Sequence, residues 1–207
     1  MKKLIYVIPV ALIALIITKF FIFQSRSVSI KCASSYAVDC EWETTRRVMV
    51  RTNVMEKVVA SCGAEIIDKK TTGITFATNR LINGNWIITA TGEYKIKSNE
   101  PDFIVPVKVY SVVTPNTIDS EVVNSMPVKE LTKYIERTHM RKDGSKTSIF
   151  SQIDMTVTFS APPFKSFDEM VKKRMVDNAM NSLQKEKDVL IQELAKYKGR
   201  KVIFEIK

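Results

Sequence analysis

Histidine and cysteine, two residue types that often carry out catalysis, are scarce in this sequence. There is one histidine, His139, and there are three cysteines, Cys32, Cys40 and Cys62. A Ser-His-Asp or Cys-His site would have to use His139, yet no G-x-S-x-G nucleophile motif accompanies it. The histidine opens the basic, polar segment "HMRKDGSK", which is typical of an exposed turn. No catalytic residue is therefore predicted, and we expect that the protein is not an enzyme.

The cysteines and glycines also lack the spacing of binding motifs. No C-x-x-C, H-E-x-x-H or calcium-loop pattern occurs, so no metal site is predicted. The six glycines are too widely spread for a P-loop or a G-x-G-x-x-G motif, so no cofactor is expected. Outside the cytoplasm, Cys32 and Cys40 would be able to form a disulfide that closes a small loop. The odd count leaves alternatives, because Cys62 can pair with either of them or with another chain.

The longest apolar run, "LIYVIPVALIALIITKFFIF", extends from Leu4 to Phe23 and contains one charge, Lys19. As a helix rising about 1.5 Å per residue, it would reach roughly 30 Å, the thickness of the hydrocarbon core of a bilayer. We interpret it as a transmembrane signal anchor that contacts membrane lipid. A cleaved signal peptide is disfavoured because bulky aromatic residues follow the run. A buried core helix is disfavoured because the run has no polar stripe.

This interpretation predicts four segments. Residues 1–3 form a short cytoplasmic tail, residues 4–23 the transmembrane anchor, and residues 24–40 a juxtamembrane connector of mostly small and polar residues. Residues 41–207 then form one exported domain, because a very short tail before such a run usually stays in the cytoplasm. The expected localisation is the inner membrane, with a single span and the bulk of the chain in the periplasm.

The charge of the chain bears on its partners. The formal net charge is +10, with the basic residues dispersed in short clusters such as Lys172, Lys173 and Arg174. A basic surface of this kind favours an acidic protein or anionic head groups. Nucleic acid is expected as a partner only if the domain is cytoplasmic, since no RNA-binding or zinc-finger pattern is present. Another envelope or inner-membrane protein is the expected partner, and an oligomer is left open.

Several segments predict strands. Two β-rich runs flank the pair Asn83-Gly84, which favours a tight hairpin. In the segment "TSIFSQIDMTVTFS", the apolar residues Ile149, Ile153, Met155, Val157 and Phe159 alternate with the polar residues Gln152, Asp154, Thr156 and Thr158. That alternation is typical of an antiparallel strand with one buried face. The segment "RKVIFEIK" at the end of the sequence predicts a further strand.

Another strand is predicted in "DFIVPVKVYSVV", where Val105, Val107 and Val109 share one face. Pro106 interrupts it and cannot donate a ladder hydrogen bond, which predicts an edge strand or a bulge. The exposed edge near Pro106 and the basic cluster Lys172, Lys173 and Arg174 together form the predicted interaction surface.

Three segments predict helices. In "EWETTRRVMVRTNVMEKVVASCG" a helix is favoured over a strand, with Gly63 placed to end it. The segment "MPVKELTKYIERT" reads as a short helix that begins at Pro127. A long helix is predicted from about residue 167 to residue 198, begun by a Ser166–Glu169 capping box and ended by Gly199.

The predicted fold class is therefore α+β: an N-terminal transmembrane helix, then a mainly antiparallel sheet packed with a long C-terminal helix. The main functional hypothesis is a membrane-anchored protein whose exported domain acts by protein-protein contact in an envelope complex. The alternative hypothesis is a periplasmic ligand-binding module that holds an apolar molecule between sheet and helix. Trp86, Phe159 and Met180 would line its cavity, although all three also fit a packed core.

Overall fold

The computed structural model of the chain describes residues 24–79, 85–99, 102–162 and 164–199. Seven antiparallel strands form one sheet in the order β1-β7-β6-β5-β4-β3-β2. Successive strands from β2 to β7 are neighbours, and β1 closes the order by pairing with β7. The strands are β1 Gln24–Val38, β2 Ala64–Asn79, β3 Asn85–Ser98, β4 Phe103–Val113, β5 Thr117–Asn124, β6 Leu131–Asp143 and β7 Lys146–Ala161.

Three helices accompany the sheet. Helices α1 (Trp42–Arg51) and α2 (Val54–Ser61) connect β1 to β2, and α3 (Lys165–Ala195) follows β7. Gly63 and Gly199 follow α2 and α3 with φ of 79° and 69°, a conformation that glycine adopts without steric cost. Gly63 directly follows the C-cap residue Cys62 and is confirmed as the helix-ending glycine, whereas α3 ends at Ala195, four residues before Gly199. Helix α3 lies over β1, β7 and α2, at one side of the sheet.

The face of the sheet that meets α3, called the inner face below, is buried in two apolar clusters. The first joins the C-terminal part of α3 to α1, α2 and several strands, with Val48, Leu190 and Leu194 fully buried. The second joins the N-terminal part of α3 to β1 and β7, with Ile153 and Leu183 at its centre. Burying side chains of this size stabilises the fold by roughly 1.5–3 kcal/mol each.

The segment predicted to be a connector is instead the strand β1. All 15 of its residues pair with β7, from Gln24 opposite Ala161 to Val38 opposite Thr147. The inward side chains of β1 alternate with polar outward ones, and Val28 and Ile30 are buried in the second cluster. Residues 24–38 are therefore part of the sheet, because their apolar side chains have the two-residue period of a strand.

The short helix predicted from Pro127 does not form. Residues Val128 and Leu131 pair across a tight turn in which Lys129 has a φ of 51°, and β6 then runs from Leu131 to Asp143. The inward positions of β6 include the polar residues Glu136 and Thr138, so the strand lacks the apolar alternation that would reveal it.

The other predicted elements fare differently. Strands β4 and β7 are confirmed, but β4 lies between β3 and β5 and is not an edge strand. Pro106 has no N–H group to donate to β5. It is tolerated because it lies opposite Ser125, just beyond the end of β5, where its carbonyl oxygen accepts from Ser125 N–H and no strand residue requires a donor. The predicted hairpin pairs β2 with β3, while Asn83-Gly84 itself lies outside the described residues, as do residues 200–207.

The long C-terminal helix is confirmed, with 31 residues and a length of about 47 Å. The predicted capping box is absent: Phe164 is the N-cap residue, no side chain caps the helix, and Ser166 lies inside its first turn. Arg26 forms an ion pair with Asp168 of this turn and also donates to the carbonyl oxygen of Pro162, so β1 holds the beginning of the helix.

The predicted fold class, organised around a transmembrane helix, is wrong for the described chain. Within residues 24–199, apart from the gaps named above, no helix combines the length and apolar character needed to cross a bilayer. Residues 4–23, on which the anchor was placed, lie outside the described residues. The fold that replaces the prediction is a seven-stranded antiparallel sheet with two short helices and a C-terminal helix packed on its inner face.

Candidate functional site

A row of hydroxyl side chains crosses the inner face of the sheet between the two apolar clusters. Strand register places these residues directly beside one another, so their side chains lie on the same face. We call this set the hydroxyl row: Ser111, Ser120, Thr138, Ser151 and Ser34. Its residues on β4 and β5 are partly exposed, whereas Thr138 and Ser151 are buried. Polar positions at the centre of an otherwise apolar face mark this region as a candidate site.

Helix α3 contributes a carboxyl group to this row. Glu186 is 3% exposed, and its Oε1 accepts a 2.8 Å hydrogen bond from Ser151 Oγ. Its Oε2 is buried and has no hydrogen-bond partner among the described residues. Burial raises the pKa of Glu186 to about 7, and the nearby Glu136 carboxylate adds to the rise; the hydrogen bond from Ser151 and the nearby Thr138 hydroxyl oppose it.

A second carboxyl group, that of Glu136 on β6, lies on the same face. The register places Glu136 beside Val122 of β5 and Ile153 of β7, one row away from the hydroxyl row. Its Oε2 accepts a 2.7 Å hydrogen bond from Tyr134 Oη. Burial raises the pKa of Glu136, and the hydrogen bond from Tyr134 partly offsets the rise.

A phenol and a thiol complete the surroundings of the two carboxyl groups. Tyr36 of β1 has a buried hydroxyl with no hydrogen-bond partner among the described residues, and burial raises its pKa far above the usual value. Cys62, at the end of α2, has its Sγ 4.0 Å from the Ser182 carbonyl oxygen, and burial raises the pKa of its thiol. Both side chains are therefore uncharged at neutral pH.

The inner face is not covered evenly. Because α3 lies over β1 and β7, apolar residues toward the opposite edge remain accessible. Ile74 and Phe76 of β2 are 69% and 63% exposed although they share a face with the buried core. Val109 and Val122, which lie in register with Glu136, are partly exposed. The site thus consists of an accessible apolar surface that leads to two carboxyl groups beside the helix.

The outer face has a shallow depression of about 170 Å³, far from the carboxyl groups. Thr91 and Glu93 alternate with the inward Gly92, and their strand partners are Tyr110 and Lys108. These four side chains line the depression on the side opposite α3. It is too open and too shallow to enclose a molecule, so we do not assign the site there.

The structure separates the predicted disulfide cysteines. Cys32 and Cys40 are buried and unbonded, and Cys62 is unbonded as well. Cys32 lies in the middle of β1, and Cys40 follows the strand by two residues. The extended segment from Cys32 to Val38 alone spans about 20 Å, and the two residues after Val38 cannot return the chain to within the 7 Å that a disulfide allows between Cα atoms.

The predicted interaction surface is also divided. Lys172, Lys173 and Arg174 are exposed on α3, whereas Pro106 is partly buried in the interior strand β4. The described parts of the structure do not join them into one surface, so their role as an interaction surface stays a prediction.

The residues expected to line a ligand cavity are dispersed. Trp86 packs against the first apolar cluster and Phe159 against the second. Met180 is 45% exposed and lies seven residues, or two turns, before Lys187, whose Nζ is over the Tyr36 ring on the β1 side. These side chains do not form one cavity, and the accessible apolar surface is built by other residues.

Sequence inspection missed the carboxyl pair and the hydroxyl row. The signal was present, because Glu186 continues the stripe of Met175, Ala179 and Leu183 along α3. A charged residue at an apolar position is the informative exception in an amphipathic helix. The described residues contain no group of three or more His, Cys, Asp or Glu side chains that would hold a metal ion.

Comparison with known proteins places the fold but not the function. The sequence matches no protein-family model and no curated protein. An uncharacterised protein from Rhizobium leguminosarum has a similar structure, with a TM-score of 0.50, 7% identity, and coverage of 84% of this chain and 99% of that chain. A protein of unknown function from Staphylococcus aureus is also similar, with a TM-score of 0.50, 8% identity, and coverage of 83% of this chain and 96% of that chain. A START superfamily protein from Mycobacterium smegmatis has a TM-score of 0.46 and 14% identity, with coverage of 80% of this chain and 97% of that chain.

These findings overturn the main functional hypothesis. A membrane-anchored accessory protein of an envelope complex, localised as a single-pass inner-membrane protein, is not supported. The part of the chain that the structure describes has no helix able to span a bilayer, and its fold resembles the structures just named. The alternative hypothesis, a module with a binding surface between sheet and helix, agrees better with the fold. The two structures with a TM-score of 0.50 carry no stated activity.

Proposed function

We propose that the protein is a ligand-binding module that holds an apolar molecule between α3 and the inner face of the sheet. The observation that carries the proposal is the uneven cover of that face. Helix α3 shields β1 and β7, whereas Val109 and Val122 on β4 and β5 remain partly exposed beside it. Removing apolar surface from water is favourable by about 25 cal/mol per Å², so covering these valines favours the binding of an apolar molecule.

The polar groups of the site suit an orienting role. Ligand sites are mostly apolar surfaces with a few polar groups that fix the orientation of the ligand. Here Ser111 and Ser120, whose hydroxyl oxygens are 3.3 Å apart, lie next to Val109 and Val122 in the adjacent row. An apolar molecule on these valines would have hydroxyl and carboxyl groups within reach at one end.

We propose binding rather than catalysis as the role of the site. The one histidine of the sequence, His139, lies on the outer face, where its Nδ1 is 2.6 Å from Asp119 Oδ1. The two inward carboxyl groups have no imidazole beside them. That the protein is not an enzyme stays a prediction.

The test uses n-octanol as a probe and isothermal titration calorimetry on the purified full chain. We expect saturable binding of about one molecule per chain. Val109→Phe places a larger side chain on the inner face and should abolish binding. Val112→Phe makes the same change on the same strand, three residues away on the outer face, and should leave binding unchanged.

Thermal unfolding of both variants controls for loss of the fold. Binding that is absent in the unaltered chain, or equally retained by both variants, would contradict a site on the inner face.

A further inference from the structure

We propose that Glu136 and Glu186 together bind the protonated amine of the ligand, so that the ligand class is an apolar molecule with a cationic amine at one end. This inference rests on the proposed function and adds the chemistry of the polar end. It follows from the position of the two carboxyl groups, their unused hydrogen-bonding capacity and the lack of an ion pair to either of them among the described residues.

The two carboxyl groups lie on neighbouring elements and meet at the hydroxyl row. Glu136 and Thr138 are two residues apart on β6 and point to the same face. Thr138 pairs with Ser151, which donates to Glu186 of α3. One cation placed near Thr138 is therefore within reach of both carboxyl groups.

Each carboxyl group has an acceptor oxygen that the described protein does not use. Glu186 Oε2 is buried without a partner. Tyr134 Oη donates a hydrogen bond to Glu136 Oε2, and no described side chain or backbone group donates to Glu136 Oε1. A primary ammonium group has three donors, enough to satisfy both oxygens at once.

The charged groups around the pair provide no internal counter-ion. On α3, Lys187 lies over the Tyr36 ring at 5.8 Å, and Asp188 adds a further negative charge near Tyr36. Burial raises the pKa of the Cys62 thiol at the end of α2, and the charge of Lys185, also on α3, opposes part of that rise. None of the ion pairs among the described residues includes Glu136 or Glu186.

The other buried glutamate of α3, Glu193, has the cationic partners that a buried carboxylate normally requires. It lies seven residues after Glu186 and forms ion pairs with Lys57, whose Nζ is 2.7 Å from Oε2, and with Lys196, whose Nζ is 2.5 Å from Oε1. Buried carboxylates are usually paired with a cation because leaving one unpaired is costly. No lysine or arginine of the described part of the chain forms an ion pair with Glu136 or Glu186, and a ligand cation would supply this partner.

The position of the apolar surface agrees with this arrangement. Val109, Val122 and Glu136 follow one another across β4, β5 and β6 in strand register. A ligand whose apolar body lies on the two valines would bring its end group to Glu136, with Glu186 behind it. The neutral Tyr36, Tyr134 and Cys62 add no competing charge.

The test compares three probes with the same alkyl chain, n-octylamine, n-octanol and octanoate, on the purified full chain at pH 7.5 by calorimetry. We expect n-octylamine to bind about tenfold or more tightly than n-octanol, because a charge-assisted contact replaces a neutral one. Octanoate should bind most weakly, because it adds a third negative charge.

Variants then assign the effect to the pair. Glu136→Gln combined with Glu186→Gln should remove the preference for n-octylamine, so that n-octylamine and n-octanol bind the double variant with similar affinity. Thermal unfolding of the double variant controls for loss of the fold. Glu121→Gln, an outward carboxyl group paired with Arg137, is the matched control and should have no effect on any probe.

The outcomes separate the two proposals. Equal affinities for n-octylamine and n-octanol, or a preference for octanoate, would overturn the amine assignment and leave the ligand-binding module standing. Full n-octylamine affinity in the double variant would overturn it as well. If none of the three probes binds saturably, the proposed function itself fails, and the amine assignment fails with it.

Discussion

Ser151 Oγ of β7 donates a 2.8 Å hydrogen bond to Glu186 Oε1 of α3, and both residues are almost completely buried. This bond joins the sheet to the C-terminal helix at a point between two apolar clusters. A buried carboxyl group is costly to desolvate, and a hydroxyl donor recovers only part of that cost. The contact is therefore better suited to defining a polar site than to maximising stability.

Replacing the donor should expose this cost. In Ser151→Ala, Glu186 loses a hydrogen bond in a buried setting, and we expect the free energy of unfolding to fall by about 1–3 kcal/mol. The loss should be larger at pH 8 than at pH 5, because the ionised carboxylate needs the donor more. Urea unfolding measures it, and Ser160→Ala, an exposed serine of the same strand, should change stability by less than about 0.5 kcal/mol. Equal losses in the two variants would contradict the assignment.

Glu186 should make the protein less stable as the pH rises. The pKa of this group is about 7 in the folded chain and near 4.5 when unperturbed. Between these values the folded chain holds a proton that the unfolded chain releases, so stability decreases from below pH 4.5 to above pH 7. The decrease amounts to about 3 kcal/mol.

In Glu186→Gln this contribution should disappear, leaving that of Glu136, whose pKa is also raised by burial. The variant should be more stable than the unaltered chain at pH 8. Urea unfolding across pH 5–8 tests this, and an unchanged pH profile in the variant would show that Glu186 is not the titrating group.

Glu193, on the same helix, should have the opposite pH dependence. Hydrogen bonds from Lys196 and then Lys57 lower the pKa of Glu193. Its contribution is present above the unfolded pKa near 4.5 and is lost as the pH falls through the lower folded value. Because both lysines are about half exposed, Glu193→Gln should cost only about 0.5–1 kcal/mol at pH 7. A loss that persists undiminished at pH 3 would rule out the ion pairs as its cause.

The anchoring of α3 can be tested by a pair of adjacent substitutions. Leu190 is completely buried in the first apolar cluster, whereas Ile191 is 37% exposed. Leu190→Ala should lower the free energy of unfolding by about 2–5 kcal/mol, since it leaves a cavity. Ile191→Ala should cost less than about 1 kcal/mol. Chemical denaturation of both variants provides the comparison, and similar losses would mean that α3 is rotated from its position in the structure.

The cysteines should all be free thiols. Cys32 and Cys40 are too far apart along β1 to bond, and Cys62 is unbonded. Thiol titration of the chain purified without reductant should give three reactive groups per chain in denaturant. In the folded protein, buried Cys32 and Cys40 should react more slowly than Cys62. A count of one thiol would indicate a disulfide and contradict this arrangement.

Elements with clean periodicity were predictable from the sequence. Strand β7 alternates from Gln152 to Phe159, and the long helix shows an apolar stripe that ends before Gly199, so both are predictable. Local side-chain pattern is enough in such cases, because one face is buried and the other is wet along the whole element.

The failures coincide with the polar site. The sequence predicts a helix over the first part of β6, because Val128, Leu131 and Ile135 have helical spacing while the inward Glu136 and Thr138 break the alternation of a strand. In β1 the inward Ser34 likewise interrupts the apolar alternation. The residues that form the candidate site thus obscured the strands that position them. Such conflicts between local pattern and fold are expected where residues serve a site rather than the core.

By itself, the sequence determined the antiparallel strands β4 and β7, the β2–β3 hairpin and the C-terminal helix, because each depends on contacts between near neighbours or on a simple period. The tertiary structure alone decided the rest. It placed β1 beside β7 and kept β4 in the interior of the sheet. It also brought Glu186 to Ser151 and Glu136, from segments 35 and 50 residues apart along the chain. Contacts at that separation arise only when the sheet and helix pack together, and no local pattern of residues encodes them.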